Sequence, residues 1–433
     1  MPIGSYIRKK PTDNRFKTKV KLILLGLVAV SSGTFAQTSL SLNDAINLTL
    51  ARHPELKKYA YRDEAAKNMV LQAGAPTPAS LNLDVEDVMG TGNYAGLSGM
   101  QTTLSISWLL EEDIIKSRVK VAGEKVQSSE LARQAQVLDV AAETAGIFIT
   151  LLAQKEQLKL ARLAQAQAEK MLDNIRTRVK AGQSNLVDQL RAKAALSQKA
   201  LVVEDLSHEI KASRAQLAAQ WNGDADFQIN GSLTNIPAVE DLELAYEKLK
   251  AHPKLKAFAT QQRIARSEIA LAKADEKPAW RINTGFRRNE QLDDFAFTAG
   301  ISIPFGGENR NRGKILALQA QQEEQQAQAD AWYQQVSTRL LLLTHKRGHN
   351  RHGIDALGAE TIPSLELASQ KAGQAYRSGS YSYTDWYAVQ QELLAAQTEL
   401  IAAYADIHLN TIELERLTGA SVANNANSAS NVN

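Results

Sequence analysis

Three histidines, His345, His349 and His352, lie close together in the second half of the chain, and imidazole is a common ligand of transition-metal ions. His345 and His349 are four positions apart, which is the spacing of two side chains on one face of a helix. However, Gly348 lies between them and weakens such a helix, and the cationic residues within 346–351 would repel a metal ion. The sequence therefore favours a solvated, irregular segment over a metal site, and it predicts no bound cofactor.

Two acidic residues occupy equivalent places in two similar stretches. Asp188 lies six positions after Gly182, and Asp385 lies six positions after Gly379. In each stretch a helical pattern ends at the glycine, small polar residues follow, and a second helical pattern begins. Serine, threonine or asparagine can cap the free N–H groups of the second helix, whose dipole favours a carboxylate in its first turn. Both stretches are therefore predicted to be tight reversals between two helices.

The features of the first half of the chain recur in the same order in the second half. His53-Pro54 corresponds to His252-Pro253, where we expect proline to begin a helix and histidine to have a structural role. Strand patterns, a long helical pattern and a glycine reversal then follow in each half. The chain is therefore predicted to be an internal duplication, with a first repeat at 37–223 and a second at 224–420.

Two pairs of segments, at 80–109 and at 279–304, alternate between apolar and polar residues. This period of two predicts two strands and a loop in each pair, with strands of about ten residues, the length of a tilted membrane strand. The periodicity is equally compatible with a small soluble sheet that has one buried face. No stretch beyond residue 36 reaches the roughly 18 to 20 apolar residues of a spanning helix, so any membrane crossing would be made by strands. Four strands cannot close a barrel, so several chains would have to pool them.

Most of the remaining sequence has a helical pattern. No proline occurs between Glu112 and Ala181, and a helix of that length would be about 105 Å long at ~1.5 Å per residue. Apolar residues recur along it in steps of four and three, and shorter runs of the same kind occur at 206–217 and 393–417. Such runs are typical of coiled-coil seams and predict long antiparallel helices packed side by side. The residues of the first seam are Leu131, Ala135, Leu138, Ala142, Ala145, Ile149 and Leu152.

The two ends of the chain are predicted to lie outside the fold. Residues 1–36 combine a basic segment, the apolar run Leu22–Val30 and small residues before Gln37, which predicts a secretory signal peptide. This segment carries seven of the 50 basic residues and one of the 47 acidic ones, so the remainder is slightly acidic and nucleic acid is not expected as a partner. The tail 421–433, rich in alanine, asparagine and serine, is predicted to be disordered.

The sequence carries none of the common catalytic motifs. We find no phosphate-binding P-loop, no HExxH pair and no nucleophile elbow, and the chain contains no cysteine. The chain is therefore predicted not to be an enzyme. The lack of cysteine also means that stability must come from packing or assembly rather than from disulfides.

The stretch AGISIPFGGENRNRG at 299–313, the order of the elements and the two reversals together resemble the TolC-type outer-membrane efflux proteins. The nearest branch is the outer-membrane component of cobalt-zinc-cadmium type heavy-metal cation efflux systems. The resemblance implies a mainly α fold with a small membrane β part. In a homotrimer, four strands per chain would form a trimeric 12-stranded β-barrel in outer-membrane lipid, continued by a long antiparallel α-helical coiled-coil tunnel in the periplasm. The implied partners are a periplasmic adaptor (membrane fusion) protein and an inner-membrane RND-type pump.

The resemblance also assigns roles to residues of the two reversals. It implies that Asp385 lies at the periplasmic aperture and that Asp188 and Tyr376 tie neighbouring helices together in the closed state. Three copies of Asp385 would form a ring that favours cations, although both aspartates are equally well explained as residues of the first helical turn. Where some members have a second aspartate, this chain has Ala388, and the lipidated cysteine of many members is missing. The residues that resemble adaptor-docking tips are Gly182, Gln183, Ser184, Asn185, Leu186, Gly379, Ser380, Tyr381, Ser382 and Tyr383.

The function predicted from these features is that of an outer-membrane exit duct in a tripartite efflux system. The duct would conduct substrates passively, and divalent heavy-metal cations are the substrates that the resemblance implies. Two alternatives remain open at this point: a duct of the same fold for drugs, other solutes or type I secretion, and a soluble periplasmic coiled-coil scaffold. An enzyme would rest only on the histidines at 345–352.

Overall fold

The structure is a computed structural model, and it describes residues 39–238, 241–307 and 309–420. The predicted signal peptide at 1–36 and the predicted tail at 421–433 lie outside the described residues. The helices are α1 (Leu42–Arg52), α2 (Pro54–Ala73), α3 (Glu112–Lys180), α4 (Leu186–Ala219), α5 (Leu242–Lys250), α6 (Pro253–Glu276), α7 (Arg312–Ala356), α8 (Ile362–Ser378) and α9 (Tyr383–Thr418). The strands are β1 (Ser39–Leu40), β2 (Ser80–Glu86), β3 (Gln101–Leu110), β4 (Gln228–Ile229), β5 (Trp280–Asn289) and β6 (Asp294–Ser302).

The two histidine-proline pairs begin α2 and α6, as predicted. The ring nitrogen Nδ1 of His53 accepts a hydrogen bond from the amide of Glu55 (3.2 Å), and that of His252 accepts one from the amide of Lys254 (3.1 Å). Each histidine is therefore the N-cap of a helix whose first turn contains proline, which has no N–H to satisfy. His252 is also buried, and burial lowers its pKa. The structural role predicted for the pairs is confirmed.

Helix α3 is the longest element that the structure describes, with 69 residues, or about 100 Å at ~1.5 Å per residue. It packs against α1, α2, α4, α6 and α9, and most of the predicted seam is buried in these contacts. By length and composition alone, α3 could cross a membrane, contrary to the expectation that no segment could. Half of its apolar window is buried within the protein, so this apolar content is explained by helix packing.

The four longer strands form one antiparallel sheet in the order β2-β3-β5-β6. The pairing of β3 with β5 joins the first half of the chain to the second, and β2 and β6 are the edges. The two strand pairs predicted at 80–109 and 279–304 are therefore present in the structure, although β2 has only seven residues. The two-residue strands β1 and β4, which pair in parallel, were not predicted, because such short strands have no readable period.

The apolar face of the four-stranded sheet is exposed, and the inner strand β3 buries polar side chains on the other face. Leu83, Leu104, Phe286 and Phe297 pair in one row across the strands, with exposures of 66%, 51%, 66% and 65%. On the opposite face of β3, Thr103, Ser105 and Ser107 are only 6%, 8% and 4% exposed. A soluble sheet has the reverse arrangement, with its apolar face on the core. The alternative of a soluble sheet with a buried apolar face is therefore wrong for this chain.

The prediction of an irregular segment around Gly348 is also wrong. Helix α7 continues through Gly348 and Gly353 to Ala356, and the irregularity lies beyond it, in a π-helical turn at Leu357–Thr361. Packing explains the continuity, because Leu343, Arg347 and Ile354 are buried on one face of the helix and offset the cost of about 1 kcal/mol that each glycine adds. The wide turn comes just before Pro363, which lacks an N–H and would clash with the carbonyl four residues earlier in a regular helix.

Candidate functional site: the two helical tips

The first tip connects α3 to α4. Gly182 has a φ of 72°, a left-handed conformation that glycine adopts without strain. The amide of Gln183 donates to the carbonyl of Arg178 (2.8 Å), which closes the end of α3. The side-chain oxygen of Asn185 then accepts from the amide of Asp188 (2.9 Å) and caps α4. The tight reversal predicted at this position is confirmed.

The second tip connects α8 to α9 in the same way. Gly379 has a φ of 83°, and the amide of Ser380 donates to the carbonyl of Ala375 (3.0 Å). The hydroxyl oxygen of Ser382 accepts from the amide of Asp385 (3.1 Å), so Ser382 is the N-cap of α9. The two tips therefore share their backbone design but differ in the residue that caps the second helix.

Both aspartates are part of these caps. The hydroxyl of Ser184 donates to the carboxylate of Asp188 (3.1 Å), and the hydroxyl of Ser382 donates to that of Asp385 (2.6 Å). Asp188 is half-buried, whereas Asp385 is exposed and has room to face an opening. Each carboxylate also lies in the first turn of its helix, where the helix dipole stabilises negative charge. The predicted position in the first helical turn is thus shown for both residues, and the aperture role of Asp385 stays a prediction.

An aromatic cluster joins the two tips behind their reversals. The rings of Tyr376 and Trp386 stack with centroids 5.0 Å apart, and the guanidinium of Arg178 lies 5.0 Å from the Tyr376 ring. Arg178 also donates to the carbonyl of Arg377 (2.9 Å). Arg178 lies in the last turn of α3, and Tyr376 lies in the last turn of α8. The cluster therefore connects the first hairpin to the second. Tyr376 therefore links neighbouring helices within the chain, whereas the contacts of Asp188 are to its own tip.

Small and buried groups fix the geometry of this cluster, which we call the tip cluster: Met171, Leu172, Ile175, Ala192, Ala372, Tyr376, Tyr383 and Trp386. A Cβ atom on Gly373 would lie 3.2 Å from Nε1 of Trp386, so glycine permits the close approach of α8 to the indole. Burial raises the pKa of Tyr383 to about 12, so its hydroxyl stays neutral at physiological pH. The tip cluster is therefore a small hydrophobic core at the end of the helices.

Two polar contacts continue the connection beyond the tip cluster. The guanidinium of Arg191 donates to the hydroxyl of Thr384 (3.1 Å), and the ammonium of Lys199 donates to the side-chain oxygen of Gln391 (2.8 Å). Both bonds run from α4 to α9. Burial lowers the pKa of Lys199, which lies beside a groove of about 220 Å³ lined also by Met171 and Trp386.

The residues that join the two tips are not evident from the local sequence. Arg178 lies within a few positions of the first predicted reversal, but the residue to which it donates, Arg377, is 199 positions away in the chain. Trp386 follows the second reversal and stacks on Tyr376 of the same hairpin. A large aromatic one position after Asp385 was the available signal, since tryptophan at the end of a helical hairpin is often buried. The three histidines of α7 lie elsewhere, and all three are exposed. Among the residues that the structure describes, no three His, Cys, Asp or Glu side chains are grouped to hold a metal ion.

Comparisons with known proteins agree with this architecture. Residues 45–223 match the model of the family described as outer membrane efflux protein. The chain is 21% identical over 283 residues to the cobalt-zinc-cadmium resistance protein CzcC of Cupriavidus metallidurans, covering 65% of this chain and 68% of that protein.

Solved structures share the fold over nearly the whole described chain. One of them is a crystal structure of CusC, described in connection with its folding and transmembrane channel formation. It matches this chain with a TM-score of 0.73 at 15% identity, and the match covers 89% of this chain and 93% of the CusC chain. The outer membrane protein VceC of Vibrio cholerae also has a TM-score of 0.73, at 17% identity, and covers 88% of this chain and 96% of its own. The chain therefore has the fold of these solved structures.

Proposed function

We propose that this chain, whose residues 45–223 match the outer membrane efflux protein family, is the passive exit duct of a tripartite efflux system. Proteins of this family are channels of the Gram-negative outer membrane, with their helices in the periplasm, and they are not enzymes. The finer parts of the proposal concern the number of subunits, the partners and the solute. Each rests on a different region of the molecule.

The exposed apolar face of the sheet is the observation that carries the proposal. In water this face would be unfavourable, whereas in a bilayer it is the surface that contacts lipid. Within the part of the chain that the structure describes, the outer edges of β2 and β6 have no partner strand, and such edges cannot face lipid. Three chains that pair β2 of one with β6 of the next would give a trimeric, 12-stranded barrel without edges.

The helices supply the second part of the proposal. They extend from the sheet to the tips, and in three copies they would form a tunnel that continues the barrel into the periplasm. The repeated order of helix, strand pair, long helix and reversal supports the predicted duplication at 37–223 and 224–420. We propose that the tip residues Gly182–Leu186 and Gly379–Tyr383 dock onto a periplasmic adaptor, which connects the duct to an inner-membrane RND-type pump.

Divalent heavy-metal cations are the solutes we propose. The similarity to CzcC supports this choice, and so does the exposed position of Asp385 at a tip. In a trimer, three Asp385 carboxylates around a narrow opening would attract cations. A duct makes few contacts with its cargo, so the pump would set most of the specificity.

Tolerance measurements on a strain that lacks this protein test the proposal. Loss of zinc, cobalt and cadmium tolerance, restored by the wild-type gene, is the expected result. Lost drug tolerance with unchanged metal tolerance would instead show a drug duct of the same fold. Asp385→Asn keeps an oxygen that can accept the Ser382 hydrogen bond and removes the charge. It should lower metal tolerance more than Asp188→Asn, because Asp385 is exposed whereas Asp188 is half-buried.

A further inference from the structure

Because α7 is continuous, its three histidines lie on one regular helix, and their positions on its surface can be compared. Successive residues of an α-helix are rotated by about 100°, so positions 345, 349 and 352 lie within an arc of roughly 60° on one face. The residues of α7 that pack into the protein lie on the opposite face: Val336, Leu340, Leu343, Arg347 and Ile354. His345, His349 and His352 therefore form one exposed row, which we call the histidine row.

The cations that argued against a metal site are largely directed elsewhere. Arg347 is 4% exposed and donates to the carbonyl of Pro237 (3.0 Å) on the buried side of the helix. Arg351 lies 3.8 Å from the carboxylate of Asp355, which offsets its charge. Only Lys346 borders the histidine row among these cations. The repulsion expected from the sequence is thus much reduced by the geometry of the helix.

We propose that the histidine row binds a transition-metal cation of the Cu²⁺, Ni²⁺ or Zn²⁺ class. Imidazoles three or four positions apart on a helix are near enough to share one ion. No third protein ligand is grouped with such a pair among the described residues, so water completes the coordination. Cu²⁺ binds most tightly, because it heads the order of divalent affinities for nitrogen ligands. The proposal concerns binding alone and does not depend on which solute the duct conducts.

The spacing makes His349 the shared ligand. It can pair with His345, four positions before it, or with His352, three positions after it, whereas His345 and His352 are two turns apart and cannot share an ion. Replacing His349 therefore removes both pairs, and replacing either outer histidine leaves one pair. This ranking distinguishes a shared site from independent binding to single surface histidines.

Titration of the full-length mature chain with Cu²⁺, purified in detergent without a histidine tag, tests the proposal. His349→Ala should weaken Cu²⁺ binding at least about tenfold, or about 1.4 kcal/mol, with smaller losses for His345→Ala and His352→Ala. His208→Ala is the matched control, because His208 is an exposed histidine of α4 and should have no effect. Circular dichroism of each variant verifies that the helices are retained.

Electron paramagnetic resonance then counts the nitrogen ligands. Two nitrogens in the wild-type chain and one in His349→Ala is the expected result. Gly348→Ala should keep or strengthen binding, because a Cβ there meets no atom within 4 Å and alanine favours the helix. Equal losses for His208→Ala and His349→Ala, or no bound Cu²⁺ with intact helices, would overturn the proposal.

Discussion

The sheet and the tip cluster, at opposite ends of the long helices, place similar residues in opposite ways. In the sheet, Phe286 and Phe297 meet edge to face at 5.8 Å, and both are exposed. In the tip cluster, Tyr376 and Trp386 stack at 5.0 Å, and both are buried. Aromatic side chains contribute apolar surface in both regions, so the difference lies in the medium that surrounds each end.

The two ends of the chain are therefore suited to different surroundings, the sheet to an apolar medium and the tip cluster to water. A buried aromatic cluster is stabilised by removal of apolar surface from water, which is the ordinary driving force of folding. An exposed apolar row is compatible with a stable protein only where the surroundings are themselves apolar.

Trp386→Ala should have the largest effect and should act at the tip alone. Removing a buried tryptophan typically costs about 3–5 kcal/mol, and here it removes the ring that stacks on Tyr376. Hydrogen exchange should show faster opening of 171–199 and 372–391, with no change in the sheet. Tyr381→Ala, at an exposed position of the same tip, is the control. Unchanged exchange at the tip would show that the cluster does not hold the hairpins together.

Phe297→Arg and Thr298→Arg place the same charge on neighbouring positions of β6. An arginine on the lipid face near the bilayer midplane costs about 2–4 kcal/mol, whereas one on the opposite face remains in water. Phe297→Arg should therefore reduce the heat-resistant oligomer seen in outer-membrane fractions on unheated gels, and Thr298→Arg should leave it nearly unchanged. Equal effects of the two variants would contradict the assignment of the faces.

Gly373→Ala should loosen the tip by overpacking rather than by a cavity. The added Cβ would lie 3.2 Å from Trp386 Nε1, and overpacking of this kind costs about 1–3 kcal/mol. Gly348→Ala is the matched control, since it is a helical glycine with open space around its Cα. Hydrogen exchange of α8 should rise in the first variant alone. A Gly373→Ala protein as stable as the control would mean that the indole can move aside without loss.

Ser382→Ala should have the smallest effect. Loss of an N-cap costs about 1 kcal/mol, so the first turn of α9 should fray while the tip cluster remains formed. Exchange rates of the amides of Trp386 and its neighbours measure the fraying. Asn185→Ala should have the same consequence in α4, because the two tips share one design. Faster amide exchange in only one of the two variants would show that the tips resemble each other in sequence but not in how their helices are stabilised.

The sequence was sufficient for features that depend on local pattern. Alternation gave the four longer strands, and the glycines with their polar neighbours gave both reversals. The structure then showed which polar residue caps each second helix, Asn185 in α4 and Ser382 in α9. These features could be predicted because each depends on residues within a few positions of one another. The position of Asp385 in the first turn of α9 also depends only on neighbouring residues. Its predicted position at an aperture would depend on the assembly of three chains.

The features that could not be predicted depend on contacts between distant segments. Helix α7 crosses two glycines because its buried face packs on other helices, and this packing is not visible in the local sequence. Arg178 reaches Tyr376 only because two hairpins lie side by side. Likewise, alternation alone left open whether the apolar face of the sheet was buried, and the three-dimensional structure was needed to show that it is exposed.

The number of chains in the particle tests the central claim most directly. If the exposed row of the sheet faces lipid and the edges β2 and β6 are closed by neighbouring subunits, the protein extracted from outer membranes must contain more than one chain. Native mass spectrometry in detergent should give three chains per particle, with no folded protein released without detergent. A water-soluble monomer in detergent-free buffer would contradict the account.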